Sequence, residues 1–188
     1  CRRHIEQIVH EYHESLRHPE QPNLHVYGVT TGFGEFKNEP VPPEQLVALQ
    51  QNILISHSAG AGDNADADDP SNYFPAEVVR AALVLRLNTL IKGFSGVRVE
   101  MVECIAAMIN RGIVPLGPTR GSVGSSGDLC PLAHLFVVLL GHGRFYVVSG
   151  STCSVASREC HAANRLEQLL GMAPVPPSYK EGLALTNG

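Results

Sequence analysis

The chain has 188 residues, 44% of them hydrophobic, with a formal net charge of −4, enough for one compact domain or a large part of a bigger one. That charge argues against nucleic acid or an anionic membrane as the main partner. No apolar run reaches the ~18 residues a membrane span needs, and the polar segment Cys1 to His18 is not expected to be a signal peptide.

Ile5, Ile8, Val9, Tyr12 and Leu16 recur at helical spacing, predicting an amphipathic first helix with His, Glu and Arg on its wet face. Leu24 to Glu35 reads as a loop in which Gly28, Gly32 and Gly34 permit unusual backbone angles. Pro42 and Pro43 open a second helix through Leu46, Leu49, Gln50, Ile53 and Leu54, ending at Gly60 and Gly62. Asp63 to Pro70 is acidic and small, a surface loop. Pro75 opens a helix from Ala76 to Ile91 that is apolar on nearly every side apart from Arg80, Arg86 and Asn88, and so is expected to be buried all round. A further helix fits Val97 to Arg111, stopped by Gly112.

Pro115 to Gly127 is too rich in Gly, Pro and Ser for a regular element, and leads into an apolar helix, Pro131 to Leu140. Phe145 to Val148 reads as a short strand, and Val155 to Leu170 as a last helix closed by Gly171. The fold expected is mostly α with little sheet and no internal repeat. Cys1, Cys104, Cys130, Cys153 and Cys160 form no CxxC pair, so reduced thiols and a cytoplasmic setting are expected. The chain starts without Met and stops inside the run Thr186-Asn187-Gly188, so it is expected to be a piece of a longer protein.

The stretch that carries chemistry is Gly121-Ser-Val-Gly-Ser-Ser-Gly-Asp-Leu129, directly before a buried helix. Its spacing alone allows three readings. A glycine-rich turn at a helix N-terminus cradles phosphate, but neither GxxxxGK[ST] nor GxGxxG is present. A serine nucleophile elbow needs GxSxG, which is absent around Ser126. A structural turn capped by Asp128 or a serine is the plain alternative.

Four segments together resemble the histidine and aromatic amino acid ammonia-lyase family, most closely its histidine-directed members. They are Tyr27-Gly-Val-Thr-Thr-Gly-Phe-Gly34, Lys92-Gly-Phe-Ser-Gly-Val-Arg98, Gly121-Ser-Val-Gly-Ser-Ser-Gly-Asp-Leu-Cys-Pro-Leu-Ala-His134 and Lys180-Glu-Gly-Leu-Ala-Leu-Thr-Asn-Gly188. They occur in family order and span nearly the whole chain. The resemblance implies that residues 1–188 are the amino-terminal catalytic domain of a larger helical-bundle lyase, with the carboxy-terminal helices absent.

It also implies a 4-methylidene-imidazol-5-one group, built autocatalytically from Ser125-Ser126-Gly127. In that chemistry the Gly127 amide nitrogen attacks the Ser125 carbonyl carbon, and dehydration of Ser126 leaves an exocyclic methylene. The residue types suit it. Glycine has no Cβ to block the approach, Ser126 supplies the leaving hydroxyl, and the first position lends only its carbonyl. Ser125 therefore replaces the family's usual Ala without chemical cost. The group would precede the helix near Pro131, where free N–H groups stabilise developing charge. No metal or external cofactor is expected.

By the same resemblance Tyr27 is the base that removes the substrate β-proton, against a plain packing role for its ring. A tyrosine hydroxyl ordinarily titrates near ~10, so that role needs a positive setting. Ser56-His57 matches the pair with which histidine-directed members contact the substrate imidazole, against a core histidine satisfied by hydrogen bonds. Phenylalanine-directed members carry an apolar pair there, and Phe74-Pro-Ala-Glu-Val-Val-Arg80 looks closer to aromatic-directed members. Asn187 matches the asparagine beside the prosthetic ring. Arg98 and Asn88 read as structural, satisfying buried polar groups, and His134 as a packed helix residue. His10 and His13 lack the HExxH pattern and a third ligand, and Cys130 reads as a small buried side chain.

The function so implied is elimination of ammonia from L-histidine to give urocanate, in a homotetramer. The alternatives are a phenylalanine or tyrosine ammonia-lyase, an aminomutase, a catalytically silent piece lacking its complement, and a phosphate-binding module.

Overall fold

Residues 1–18, 20, 24–60, 69–125, 127–148 and 160–187 are described by a computed structural model of the chain. Helix α1 (Arg2–Ser15) buries Ile5, Ile8, Val9, Tyr12 and Ser15 on one stripe. The predicted stripe ran one turn further, but the helix ends at Ser15 and Leu16 stands 44% exposed. That stripe packs on Val29 and Leu46 in a small satellite core, and the Tyr12 hydroxyl donates to the Val41 carbonyl at 3.0 Å. Both contacts brace the loop that carries Tyr27. The loop is further closed by a bridge between Thr31 and Pro40 and by the buried Thr30, whose Oγ1 donates to Leu24 O and accepts from the Val26 N–H.

Helix α2 (Leu46–His57) follows a single 3-10 turn, Pro43–Gln45. Helix α3 (Ala76–Ile91) has the predicted bounds, but its burial differs from the expectation. Ala76, Val79, Leu83, Arg86 and Leu90 are buried, whereas Val78, Val84, Leu85 and Ile91 are 47–66% exposed. Among the described residues only one side of α3 is covered, chiefly by α4 (Val99–Asn110). Helix α4 begins two residues later than predicted, with Arg98 extended at its N-cap, and stops at Gly112 in the left-handed region (φ +66°). Only glycine serves there, because a Cβ would overlap the Val148 carbonyl oxygen.

Strand β1 (Ile113–Pro115), β2 (Arg144–Val147) and β3 (Cys160–Ala162) form an antiparallel sheet in that order, with Val114 opposite Tyr146 and Phe145 opposite His161. The predicted helix over Val155 to Leu170 is corrected here. Cys160–Ala162 is a strand because it pairs with β2, and helix α6 is only Leu166–Leu170, closed by Gly171 at φ +72°. The part of that expectation at 155–159, and the acidic loop at 61–68, lie outside the described residues.

Helix α5 (Leu129–Phe136) starts before the expected Pro131 and tightens into a 3-10 turn over Val137–Leu140. Helix α7 (Glu181–Thr186) was not expected at all. Helices α2, α5 and α7 pack on one another, and α3, α4 and α5 all touch β1. The shared core between them holds Leu54, Leu83, Met101, Ile105, Met108, Phe136 and Phe145. The mostly helical class with a small sheet is thus what the chain adopts. Among the described residues no helix is long and apolar enough to cross a membrane.

Candidate active site

The ends of the three mutually packed helices carry three of the expected site segments. His57 closes α2, the triplet Ser125 to Gly127 leads into α5, and Asn187 follows α7. Side-chain bonds tie these helices to one another and to the loop that carries Tyr27. Gln50 in α2 is fully buried; its amide N–H donates to Gly28 O at 3.0 Å, and its carbonyl accepts from Leu183 N at 3.2 Å. One side chain thereby fixes the residue after Tyr27 to the helix before Asn187. The approach is so close that a Cβ at Gly182 would overlap the Gln50 carbonyl oxygen. Cys130, at the start of α5, donates its thiol to Ala59 O at 3.5 Å, just past His57. Burial pushes that thiol up, which fits a packed cysteine and no nucleophile.

Tyr27 is 47% exposed and makes an edge-on contact with the Phe33 ring at 6.2 Å. Its hydroxyl accepts from the Gly34 N–H at 3.4 Å. The Lys180 ammonium donates to Tyr27 O at 3.1 Å and stands 5.6 Å from the Tyr27 ring centroid. Burial pushes that ammonium below the usual lysine range.

His57 is half-buried, with Nδ1 2.9 Å from Ile53 O and 3.1 Å from Ser56 Oγ. A carbonyl only accepts, so in the neutral ring Nδ1 carries the proton and Nε2 is left as an acceptor. His57 and Ser56 line a cavity of about 660 Å³ with Gly32, Phe33 and Phe36.

Gly127 lines a different cavity, of about 500 Å³, with Ser122, Asp128, Arg86 and apolar residues of α3 and α5. His57 and Gly127 thus each line one of these two cavities and not the other. Ser126 itself lies outside the described residues. Around it the backbone is left-handed: Gly124 at φ +80°, Gly127 at +91° and Asp128 at +55°. Gly127 N donates to Gly124 O at 3.1 Å, and Ser122 Oγ donates to Asp128 Oδ1. Ser125 is exposed, and Gly127 has no Cβ to obstruct its own nitrogen. These features fit a turn that can close on itself, so the residue set suits the implied prosthetic group.

Asn187 is exposed, its backbone N–H bonded to Leu183 O at 3.0 Å. Arg98 does satisfy a buried polar group, the Glu181 carboxylate, through Nε at 3.0 Å and Nη2 at 2.7 Å. Its backbone N–H adds a further bond at 2.7 Å, and the Ser178 N–H another at 2.8 Å. This pair locks the Lys92–Arg98 segment to α7. Asn88, expected to do similar work, is exposed instead. His134 is half-buried with Nδ1 2.9 Å from Cys130 O, and burial pushes it below the usual histidine range.

Burial alone would raise the Glu181 carboxyl, but the bonds from Arg98 and Ser178 and the Arg98 charge outweigh it, and the net direction is down. A carboxyl lowered by folding contributes stability above its unfolded value, ~4.3, and that stability is lost as pH falls through the folded value. Arg98→Leu is expected to lose roughly 3 kcal/mol near neutral pH, because the buried carboxylate then keeps the Arg2 guanidinium, 3.8 Å away, as its cationic neighbour among the described residues. The deficit should shrink below pH ~4, as the stranded carboxyl takes up a proton. Urea unfolding at both pH values checks this, and a constant deficit would contradict it.

Sequence reasoning missed three residues here. Gln50 was visible as a polar residue on an otherwise apolar stripe. Lys180 lay inside a quoted motif without a role. Arg86 stood out only as one of three polar residues in an apolar run: it is 8% exposed, donates to Ala184 O at 3.4 Å, and has Nε without a partner.

A family model described as aromatic amino acid lyase matches residues 2–188. The histidine ammonia-lyase of Gloeobacter violaceus is 48% identical over 163 residues, 87% of this chain and 28% of that protein. The tyrosine 2,3-aminomutase of Myxococcus fulvus is 43% identical over 165 residues, again 87% of this chain and 28% of that protein. The crystal structure of histidine ammonia-lyase from Trypanosoma cruzi superposes with a TM-score of 0.74 at 34% identity, covering 100% of this chain and 30% of that one. The chain thus spans less than a third of the length of these relatives.

Proposed function

The chain belongs to the aromatic amino acid lyase family, and we propose that its full-length protein eliminates ammonia from L-histidine to give urocanate, residues 1–188 being the amino-terminal catalytic part. The observation that carries this reading is that the helix His57 ends, the helix the Ser125–Gly127 triplet precedes and the helix Asn187 follows all pack on one another. Identity of 48% to a histidine ammonia-lyase supports the choice of substrate.

The reaction breaks the substrate's Cα–N bond and one Cβ–H bond, and leaves a double bond between Cα and Cβ. Ser125, Ser126 and Gly127 would provide the methylidene-imidazolone, and the chemistry it would supply is an electrophilic methylene that makes the amine a better leaving group. Tyr27 takes the β-proton at its phenol oxygen. His57 Nε2, held as an acceptor by the Nδ1 bond to Ile53 O, receives an N–H of the substrate imidazole and orients the ring. Asn187, which follows α7, would help hold the ring and the substrate through its amide. No metal or external cofactor takes part. The family relationship and the bare side of α3 support a homotetramer in which further chain covers that helix, and an odd number of cysteines without a CxxC pair supports a cytoplasmic setting.

A second reading, an aminomutase, is favoured by the 43% identity to a tyrosine aminomutase; it would return ammonia to Cβ instead of releasing it. Residues 1–188 expressed alone are expected to be silent, because the relatives are more than three times as long.

The test is the double variant Ser56→Phe with His57→Leu in the full-length protein. Removing a hydrogen bond that selects a polar ring is expected to lower kcat/KM for histidine by about 100-fold relative to phenylalanine. Parallel losses for both substrates would remove His57 from selection. A wild-type preference for phenylalanine or tyrosine would overturn the histidine assignment and leave the lyase assignment standing.

A further inference from the structure

Among the described residues only two besides glycine hold a left-handed backbone, Asp128 and Lys180. Asp128 adjoins the triplet. Lys180, at φ +68°, is the N-cap of α7 and adjoins Tyr27. A lysine in that region costs about 1–2 kcal/mol that glycine would not, and asparagine or glycine also caps better. The side chain is no less unusual than the backbone. It is buried enough to push the ammonium below the usual lysine range, and among the described residues no carboxylate pairs with it. What it faces is Tyr27: Nζ donates to the Tyr27 carbonyl at 3.1 Å and lies 5.6 Å from the ring centroid. Gly28 makes room for this approach, since a Cβ there would stand 2.8 Å from Leu183 Cδ2 and 3.4 Å from Lys180 Nζ.

We infer that Lys180 is a positioning residue for Tyr27, pinning its backbone and holding an ammonium against its ring so that negative charge on the phenol oxygen is stabilised. The inference rests on the reading of Tyr27 as the base. A cation near a neutral phenol ring is held by the ring quadrupole alone. Once the phenol gives up its proton, the attraction becomes one between full charges and grows. Lys180 therefore acts through Tyr27, by the bond to its carbonyl and the contact with its ring. The strained N-cap sets where the stem of Lys180 leaves the backbone.

The test uses the full-length protein with L-histidine, following kcat, KM, thermal midpoint and ring absorbance in the near ultraviolet. Lys180→Met keeps the stem and the backbone strain and removes the charge together with the bond to the Tyr27 carbonyl. Lys180→Gly relieves the strain, so it folds even if Lys180→Met does not. Both are expected to lower kcat by about 10- to 30-fold with KM within roughly threefold and ring absorbance intact. Lys180→Arg is expected to return kcat to within about threefold of the unaltered enzyme. In a Tyr27→Phe background neither loss should recur. Unaltered kcat in Lys180→Met and Lys180→Gly, or their full loss persisting in the Tyr27→Phe background, overturns the inference alone. Unaltered kcat in Tyr27→Phe overturns the base assignment and this inference with it.

Discussion

Ser126→Ala in the full-length protein is expected to yield a folded enzyme with no measurable ammonia elimination. The same variant is expected to lack the full mass loss in the peptide that carries residues 125–127. In the unaltered protein that peptide should be lighter by two waters. One is lost when the Gly127 nitrogen condenses with the Ser125 carbonyl, the other when the Ser126 hydroxyl leaves. Alanine at 126 has no hydroxyl to lose, so the methylene cannot form. The turn should survive, because what shapes it are Gly124, Gly127 and the Ser122–Asp128 bond, none of which involves the Ser126 hydroxyl. Far-ultraviolet circular dichroism should match the unaltered protein, which separates loss of chemistry from loss of fold. An unmodified triplet in protein that still eliminates ammonia would sink the proposal. Ser125→Ala is the companion control: it restores the family's usual residue, leaves the carbonyl in place, and is expected to keep both mass loss and activity.

The parts of this fold that sequence could show are those decided locally. Pro75 and the apolar run after it set α3 to its observed bounds, and Gly112 and Gly171 end their helices through the left-handed angles only glycine takes easily. What sequence could not show was set by partners far along the chain. Helix α7 is six residues with a glycine inside, too short for any periodicity to register. It exists because Glu181 is held by Arg98, 83 residues away, and because Gln50 meets Leu183 across 133 residues. Cys160–Ala162 carries no strand pattern of its own and becomes β3 by pairing with β2. The apolar character of α3 was legible, but not that the described chain covers only one of its sides; its relatives are over three times as long. The candidate site divides in the same way. Tyr27, His57, the triplet and Asn187 stand in recognisable motifs, while the links among them through Gln50, Cys130 and Lys180 appear only in three dimensions.

Tyr27→Phe keeps the ring and deletes the hydroxyl, so it isolates the acid–base role. The edge-on contact with Phe33 survives, as do the bond from Lys180 to the Tyr27 carbonyl and the Gln50 bond to Gly28. The one interaction lost within the described chain is the 3.4 Å bond from the Gly34 N–H, and water can replace it at this exposed position. Stability should therefore change by no more than about 0.5 kcal/mol. If the phenol oxygen takes the β-proton, kcat should fall by about 10²–10⁴-fold, the usual contribution of a positioned base. KM should move little, because one hydroxyl is a modest part of substrate binding. The prosthetic ring should form as before, since Tyr27 is not among the three residues that cyclise. Measuring kcat, KM and near-ultraviolet absorbance on one preparation distinguishes the outcomes. A normal ring with near-normal kcat would assign the base to another residue and leave Tyr27 as packing. Loss of the ring would show a structural role, and the fall in rate would then say nothing about proton transfer. A normal ring with a depressed kcat and an unchanged KM is the result that identifies Tyr27 as the base.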